Sequence, residues 1–369
     1  MQKICHLTTV HERYDGRIFQ KECVSLAKSG YEVSLLCADN KPDEINQDVS
    51  IKSIKFQSRG RIHRILMAPR IMLKAAILMN AEIYHLHDPE LLQIGLALKR
   101  KGKIIIYDSH EDYPLNISQK EWIPYFVRKI IATISSIYEK KILKKINGVI
   151  SVTPQIIKKL KEKNTNTVLI TNYPMLKNLK DEIIDVKKDK NICFAGNVSR
   201  DRLHHVIINA LGKTEGVTYN IAGPEFENYI EELQKLPTWK NVIYHGVLSS
   251  SDVFKMYQTS MCGIVIENYS PLNYDKQGSL GVTKLFEYMM AGLPVICTDF
   301  LIWKEIIEEN NCGICVNPND TSTIAEAINF LVENPNMAKK MGKNGRQAVI
   351  EKYNWKSQEK ILINFYENL

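Results

Sequence analysis

Short apolar runs rich in β-branched residues alternate with longer amphipathic stretches along the first half of the chain. The runs that have the length and composition of buried strands are 3–10, 31–38, 81–88, 104–108, 148–152 and 167–171. Helices are predicted at 18–29, after Pro89 and from Thr153 onward. Strands that alternate with helices at this rhythm predict a doubly wound parallel sheet.

The second half of the chain repeats this alternation. Its predicted strands are 191–195, 219–222, 242–244 and 263–266, and its predicted helices are 204–211, 320–333 and 345–369, the last broken at 353–355. The polar, Lys-rich stretch from Asn172 to Lys190 has the composition of a linker. We therefore predict an α/β chain with two Rossmann-like domains, 1–180 and 181–345, followed by a C-terminal helix at 346–369.

The stretch from Gly278 to Asp299 has the order loop, short buried helix, strand. Thr283 is a predicted N-cap, and Glu287 is the one carboxylate in a helix that is otherwise apolar nearly all round. A buried carboxylate needs partners, because burying it unpaired costs several kcal/mol. One alternative is structural: a salt bridge to Lys284, or an interaction with the helix dipole.

The other alternative for this stretch is a bound ligand. Backbone amides at the start of a helix that follows a glycine-containing loop can bind an anion, and Lys284 adds a positive charge. Glu287, one turn further along, could accept hydrogen bonds from the hydroxyls of the ligand. A phosphate beside hydroxyls suggests a nucleotide sugar.

Histidines follow two predicted strands of the first domain. His85, His87 and Asp88 end the strand near 83, and His110 follows the strand at 104–108. Ligands of open parallel sheets bind beyond the carboxyl ends of the strands, so His87 and His110 lie where a site is expected. Each could also be a core histidine bonded to the backbone. The spacing does not favour a metal ion, since His85 is expected on the strand face opposite His87.

The polar loop at 11–17 ends in Asp15, Gly16 and Arg17 and lacks the G-x-G-x-x-G pattern of dinucleotide-binding enzymes. A dehydrogenase is therefore disfavoured. One interpretation of Asp15 and Arg17 is that they pair with each other and stabilise a turn.

The positive charge of the chain is uneven. Residues 1–185 carry 30 Lys and Arg against 20 Asp and Glu, whereas the rest carries 19 against 21. This excess suggests an anionic partner, and no nucleic-acid motif accompanies it. The segment 57–79 predicts a basic amphipathic helix that either lies on an anionic bilayer or packs with a solvated basic edge. The basic helix predicted at 122–145 has the pattern of a solvated face, and neither a signal peptide nor a membrane span is predicted.

The eight cysteines mostly lie inside strand-like runs, which is typical of a reducing cytoplasm. Cys312 and Cys315 have the spacing of a redox or zinc pair, but a zinc site would need a second pair. We therefore interpret them as small apolar residues at the start of a strand.

Several segments resemble one enzyme family. The run K-L-F-E-Y-M-M-A-G-L-P-V-I closely resembles the donor-binding segment of glycosyltransferase family 4, a retaining group with the GT-B fold. V-H-E-R-Y-D-G-R-I-F-Q-K-E, F-A-G-N-V-S-R-D-R-L and the strands before His87 and His110 are also similar to this family. The resemblance implies two Rossmann-like domains that face an interdomain cleft, with 346–369 crossing back onto the first.

The resemblance also implies roles for single residues. Glu287 would hold the ribose of the donor nucleotide, and His110 would lie close to the transferred sugar. Arg202, with Arg200 as the second choice, would bind the diphosphate. The family usually has another Glu eight residues before the first one, where this chain has Ser279, so the resemblance does not extend to how the sugar is held.

The implied site has three groups of residues. The predicted catalytic residues are His110, Arg202 and Lys284. The predicted donor-binding residues are Gly16, Gly196, Arg200, Gly246, Ser279, Leu280, Gly281, Val282, Thr283 and Glu287. The predicted acceptor-side residues are His87, Asp15 and Arg17, and neither a metal ion nor another cofactor is expected.

The implied function is hexosyl transfer in the cytoplasm from a nucleoside diphosphate sugar, with UDP favoured, to a glycan or lipid-linked acceptor in cell-surface polysaccharide assembly. Peripheral contact with an anionic membrane at its inner face is the expected further interaction. Two alternatives stay open. One is a nucleotide-sugar epimerase with the same two-domain layout, and the other is a non-catalytic nucleotide-sugar-binding protein, since Ser279 replaces a usual acid.

Overall fold

The computed structural model describes residues 1–120, 122–176 and 189–369 of the chain. Their contacts divide into two compact units, Met1–Asn172 with Trp355–Leu369, and Tyr173–Asn354. The predicted boundary between 180 and 181, and the predicted linker over 177–188, lie outside the described residues.

The strands of the first unit arise from its β-branched apolar runs, which suit a parallel sheet that is buried on both faces. They are β1 (Lys3–Leu7), β2 (Glu32–Cys37), β3 (Glu44–Asn46), β4 (Val49–Ser53), β5 (Ile83–Leu86), β6 (Ile104–Ser109), β7 (Gly148–Ser151) and β8 (Thr167–Leu169). Their order is β3-β4-β2-β1-β5-β6-β7-β8, with β3 antiparallel to β4. β1, β5 and β6 are parallel neighbours, so their carboxyl ends meet at one edge of the sheet.

Helices connect these strands. They are α1 (Val24–Lys28), α2 (Arg61–Met79), α3 (Leu92–Lys99), α4 (Tyr113–Ser118), α5 (Tyr125–Leu143) and α6 (Pro154–Lys161). A π-helical turn at Ile18–Cys23 leads into α1, so the helix predicted at 18–29 is divided. The hydroxyl of Thr153 accepts a hydrogen bond from the amide of Ile156, which confirms the predicted start of α6.

Two features of the first unit differ from the sequence prediction. The hairpin of β3 and β4 was not predicted, because β3 is very short and the alternation in β4 is limited to Val49 and Ile51. The first strand ends at Leu7 rather than at residue 10. The amide of Thr8 still donates to the carbonyl of Leu36 in β2, while the hydroxyl of Thr8 and the amide of Thr9 donate to the carboxylate of Asp88.

The helix predicted at 122–145 is α5, and its exposed face is not simply a solvated charged face. Phe126, Ile130 and Ile134 are all exposed on it. The prediction of a solvated basic face was therefore incomplete. Among the described helices, none is both long enough and apolar enough to span a bilayer.

The second unit repeats the parallel arrangement. Its strands are β9 (Asn191–Ala195), β10 (Thr218–Ala222), β11 (Val242–Tyr244), β12 (Cys262–Val265), β13 (Val295–Thr298) and β14 (Gly313–Val316), in the order β11-β10-β9-β12-β13-β14. Its helices are α7 (His204–Leu211), α8 (Tyr229–Leu233), α9 (Ser250–Thr259), α10 (Lys284–Met290), α11 (Leu301–Asn310), α12 (Thr321–Glu333) and α13 (Pro335–Glu351). Alternate residues of β9 pack into two separate apolar clusters, one on each face of the sheet.

The last helix, α14 (Trp355–Glu367), packs on the first unit although it ends the chain. Trp355 Nε1 donates to Ser25 Oγ at 2.9 Å, and Tyr366 Oη lies 2.7 Å from His85 Nδ1. The segment predicted as 346–369 is thus divided, because residues 346–354 belong to the second unit.

The cysteines are free thiols, and all are buried except the half-buried Cys315. Cys297 and Cys315 lie on the neighbouring strands β13 and β14 with their sulfur atoms 3.8 Å apart. Cys312 is buried and precedes β14. The interpretation of Cys312 and Cys315 as strand residues agrees with this placement.

Candidate functional site

A cavity of about 470 Å³ lies at the carboxyl edge of the second sheet. Ligands of parallel α/β sheets bind at this edge, and the volume is within the range of small-molecule sites. Its walls come from the ends of β9 and β10, from α9 and the loop before it, and from α10. The lining residues are Ala195, Gly196, Ala222, Gly223, Pro224, Val247, Leu248, Ser250, Val253, Phe254, Tyr257, Lys284, Glu287 and Met290.

Two glycines bring neighbouring turns together at this cavity. Gly223 has a φ of +135°, and a Cβ atom added to it would lie 1.9 Å from the carbonyl oxygen of Gly196. Its amide donates to the carbonyl of Gly246, another predicted site residue, at 2.7 Å. Only glycine permits this conformation and this approach. Backbone atoms, rather than side chains, therefore form this part of the wall.

Glu287 and Lys284 lie in the α10 wall of the cavity. Lys284 Nζ donates to Glu287 Oε2 at 2.8 Å, and Tyr257 Oη donates to the same oxygen at 3.3 Å. Thr283 Oγ1 donates to Glu287 Oε1 at 2.8 Å. The salt bridge, which was one of the two alternatives from the sequence, is therefore present. Both side chains are still about a quarter exposed, 27% for Glu287 and 23% for Lys284.

Thr283 precedes α10 but does not cap it through its side chain. Its backbone is helical, with φ −72° and ψ −22°, and its hydroxyl bonds to Glu287. Thr283 therefore occupies the predicted N-cap position but makes no side-chain capping hydrogen bond. Burial, and next the charge of Glu287, raise the pKa of Tyr257 well above its usual value. Tyr257 thus keeps its proton and remains a donor to the carboxylate.

The two arginines predicted to bind the diphosphate are not among the described residues that line the cavity. Arg202 forms an ion pair with Glu267, which is buried just beyond β12. Arg200 forms an ion pair with Glu232 on the surface. Either arginine would have to reorient toward the cavity before it could bind a ligand there, so both assignments stay predictions.

The segment before α10 is held by local hydrogen bonds. Trp303 Nε1 donates to the carbonyl oxygen of Ser279 at 2.8 Å, and the amide of Gly281 donates to Ser279 Oγ at 3.1 Å. Leu280 is buried, Val282 is half-buried and Gly281 is exposed. Ser279, which stands in place of the usual second acid, therefore uses its hydroxyl within its own turn.

A second polar cluster lies at the carboxyl ends of β1, β5 and β6 in the first unit. Its centre is Asp108, which is fully buried. Arg17 donates to both oxygens of Asp108, at 2.8 and 3.1 Å, and His110 Nε2 lies 3.0 Å from Oδ2. Burial opposes the shift, but the charges of Arg17 and His110 hold the pKa of Asp108 well below its usual value. Asp108 is therefore a carboxylate that orients His110.

Asp15 and Arg17 engage different partners in this cluster. Asp15 Oδ1 accepts from the amides of Arg17 and Ile18, each at 2.8 Å, and so begins the helical turn. The Arg17 side chain is buried and binds Asp108 and the carbonyl of Ile170. The interpretation that these two side chains pair was therefore wrong. Arg17 lies beneath His110, whereas Gly16 is exposed in the loop.

His87 lies between two other histidines. Its Nε2 is 2.9 Å from His6 Nδ1, and its Nδ1 is 3.3 Å from His110 Nε2. Burial lowers the pKa of His87 to about 4. The ring is therefore neutral near pH 7, and it supports His110 from the protein interior.

His11 and Asp88 also belong to this cluster, although neither was predicted as a site residue. His11 lies 3.5 Å from Asp15 and 3.7 Å from Asp88, and its ring centroid is 4.9 Å from that of His110. Burial opposes the shift, but the hydrogen bond with Asp15 and the charge of Asp88 raise the pKa of His11. The position of Asp88 in the sequence could have indicated its role, because Asp88 follows β5 just as His110 follows β6.

Two groups of described residues could hold a metal ion, with the ligand atoms of each group within 4.8 Å of one another. They are His6, Glu22, His85 and His87, and His87, Asp108 and His110. The expectation that His85 points away from His87 was wrong, because residues two apart on a strand share a face. Their ring centroids are 4.5 Å apart. Asp108 is already engaged by Arg17, and metal independence stays a prediction.

Family models match both units of the chain. Residues 17–172 match Glycosyltransferase Family 4, and residues 204–348 match Glycosyl transferases group 1. The first match contains Asp108 and His110, and the second contains Lys284 and Glu287.

Known proteins resemble the chain in part by sequence and throughout by structure. O-antigen chain mannosyltransferase C of Escherichia coli is 22% identical over 183 residues, which are 49% of this chain and 47% of that protein. The chain spans about half the length of the curated relatives it matches.

Two solved structures share the fold. Sucrose-phosphate synthase from Thermosynechococcus elongatus has a TM-score of 0.78 at 17% identity, with 100% of this chain and 99% of that chain covered. Anabaena HepE, solved in complex with UDP and glucose, has a TM-score of 0.72 at 12% identity, with 100% of both chains covered. Two parallel-sheet units, a family match on each unit and solved structures that cover the whole chain all agree. The chain belongs to the family 4-like glycosyltransferases and has their GT-B fold.

Proposed function

We propose that the protein is a retaining, metal-independent glycosyltransferase. It moves a hexosyl group from a nucleoside diphosphate sugar, with UDP favoured, to a hydroxyl of a glycan or lipid-linked acceptor. The bond between the anomeric carbon and the diphosphate breaks, a bond to the acceptor oxygen forms, and the acceptor proton is released. The resemblance to family 4 supports retention, with donor bound by the second unit and acceptor by the first.

The cavity with Lys284 and Glu287 in its wall carries this proposal. Glu287 Oε1 accepts one described hydrogen bond, from Thr283, and a carboxylate oxygen has two acceptor sites. A ribose hydroxyl would therefore find an acceptor on Glu287. Lys284, on the same wall, would place a positive charge near a phosphate.

Charge stabilisation is the main catalytic requirement of this reaction, because the departing diphosphate gains negative charge. Lys284 would stabilise that charge, and Arg202 would join it after leaving Glu267. His110, oriented by Asp108, would position the transferred sugar. His110→Ala, Arg202→Ala and Glu287→Ala are each expected to lower turnover.

Relatives support the finer parts of the proposal. HepE was solved with UDP and glucose, which supports UDP as the nucleotide. The E. coli relative is named for the O-antigen chain, which supports a role in cell-surface polysaccharide assembly. We place the reaction at the cytoplasmic face of a membrane, since the first half of the chain carries the excess of basic residues.

Nucleotide binding tests the donor site directly. We expect UDP to raise the melting temperature of the wild-type protein. Glu287→Gln should weaken UDP binding, measured by calorimetry, about tenfold, because a charge-assisted hydrogen bond is worth about 1.5–3 kcal/mol. Glu326→Gln, at an exposed position of α12 in the same unit, is the matched control and should bind UDP normally.

Two results would contradict the proposal. The site assignment fails if Glu287→Gln binds UDP as tightly as wild type, or if no uridine, guanosine or adenosine diphosphate shifts the melting temperature. Incubation of UDP-glucose without acceptor separates the reaction classes, because an epimerase would convert the donor alone.

A further inference from the structure

The outer side of α5 exposes a continuous row of large apolar side chains. Phe126 is 78% exposed, Ile130 60%, Ile134 61% and Ile137 51%. These four residues, which we name the apolar face, are spaced by four, four and three positions. That spacing places them on one side of the helix. Ile142 and Leu143, at the end of α5, are buried.

Basic residues border the apolar face. Lys129, Lys140 and Lys141 are exposed on the same helix, and Lys144 is exposed directly after its end. At 100° per residue, Lys140 and Lys144 lie within about 40° of Phe126, and Lys141 lies between Ile130 and Ile134. The amine of Lys129 lies 4.3 Å from the ring centroid of Tyr125. The lysines therefore lie along one side of the apolar row and at its carboxyl-terminal end.

A groove extends the apolar face toward α2. It has a volume of about 490 Å³ and is lined by Leu66 and Pro69 of α2, Leu92 of α3, and Ile134 and Tyr138 of α5, among others. Leu66 is itself exposed. The apolar surface thus continues from α5 across the groove to the first turns of α2.

We propose that the apolar face docks on the surface of an anionic lipid bilayer. Apolar side chains of a surface-lying helix enter the boundary between headgroups and acyl chains, while lysines contact anionic headgroups. A second copy of the chain suits this surface less well. A two-fold interface would place the lysines of one copy close to those of the other, without acidic partners on α5 itself other than the buried Glu139.

This inference goes beyond the transfer reaction and assigns membrane contact chiefly to α5, whereas the sequence pointed to the segment 57–79. Arg64 of that segment is already paired with Glu90. Arg70, the basic residue of α2 that lines the groove, is exposed, so α2 contributes one basic residue beside the exposed lysines of α5.

Vesicle flotation of the full chain tests the proposal. We expect binding to vesicles of phosphatidylcholine with about 30% phosphatidylglycerol, and little binding to phosphatidylcholine alone. Phe126→Ser/Ile130→Ser/Ile134→Ser should reduce the bound fraction roughly tenfold. Lys140→Gln/Lys141→Gln/Lys144→Gln should remove the preference for phosphatidylglycerol.

The matched control is Ile243→Ser/Leu301→Ser, which removes two exposed apolar side chains from the second unit. It should leave flotation unchanged. The circular dichroism spectrum and the melting temperature of each variant without lipid, compared with wild type, report folding independently of lipid. Unchanged flotation of the triple serine variant would overturn the proposal. The proposal would also be overturned if wild type were a dimer in gel filtration that does not bind vesicles and the triple serine variant were a monomer. The face would then be a subunit interface. If wild type binds anionic vesicles but does not bind UDP, only the proposed transfer function is refuted.

Discussion

His6, His85 and His87 are buried together at the carboxyl edge of the first sheet, and burial lowers the pKa of each ring. Each ring stays neutral in the folded protein at a pH where the unfolded chain would bind a proton. Stability is therefore full above the unfolded pKa and is lost as the pH falls toward the folded pKa. His11 acts in the opposite sense, because its pKa is raised and its stabilising pairs weaken as the pH rises.

Acidification should therefore destabilise the first unit. With an unfolded pKa of about 6.5 and a folded pKa of about 4 for His87, this residue alone should cost about 2 kcal/mol at about pH 5 relative to about pH 7.5. Urea unfolding followed by circular dichroism at the two pH values measures this loss.

The variant His87→Gln should lose about 2 kcal/mol less than wild type over the same interval. His63→Gln, at a half-buried histidine of α2 outside the cluster, serves as the control and should follow wild type. An equal loss in wild type and His87→Gln would show that His87 does not bind its proton as the structure implies.

The elements around the cavity of the second unit meet through their backbones. The turns after β9 and β10 touch at Gly196 and Gly223, and α10 supplies Lys284 and Glu287 opposite them. The shape of the cavity therefore depends on two strand ends that cannot move apart without losing the sheet. This arrangement is typical of a preformed site.

Gly223→Ala should disturb these strand ends. The added Cβ would overlap the carbonyl of Gly196, and the positive φ would strain the new residue, so we expect a loss of about 2–4 kcal/mol in unfolding free energy. UDP affinity should fall as well, because the cavity wall must shift. Denaturant unfolding and calorimetry measure the two effects.

Gly216→Ala provides the comparison within the same unit. Gly216 also has a positive φ, +67°, but no atom lies within 4 Å of an added Cβ. This variant should lose only about 1 kcal/mol and keep its UDP affinity. If both variants behaved alike, the close approach of the two turns would not matter for the site.

Across the whole molecule, the local pattern predicted the elements better than it predicted their partners. The limits of β9, β11 and α7 match the predicted ranges, because strand and helix periodicity are properties of neighbouring residues. The carboxyl edge of the first sheet, where His87 and His110 lie, was predictable for the same reason.

Contacts between distant segments could not be predicted in this way. No local signal pairs Arg202 with Glu267 or Arg17 with Asp108. Whether Phe126 is exposed depends on which helices pack on α5, and the amphipathic pattern of α5 alone does not determine this. The placement of His85 is different, because the two-residue period of a strand by itself places His85 on the same face as His87.

The helix α14 belongs to the first unit, although the second unit separates the two in the sequence. Phe365 packs so closely on Gly148 of β7 that an added Cβ there would lie 2.5 Å from its ring. The amide of Thr171 donates to Gln358 Oε1 at 2.9 Å, and Tyr366 reaches His85. α14 thus completes the core of the first unit, although it follows the second unit in the sequence.

Deletion of Trp355–Leu369 should therefore weaken the first unit selectively. We expect amide hydrogen exchange in β5 and β7 to accelerate at least about a hundredfold, because buried apolar side chains and the hydrogen bonds of α14 are lost together. Exchange in β9 and β13 should stay as in wild type, since these strands belong to the other unit. Deletion of Asn368 and Leu369 alone, beyond the end of α14, is the control and should change neither set. Equal acceleration in all four strands would mean that the two units unfold together and that α14 does not stabilise the first one specifically.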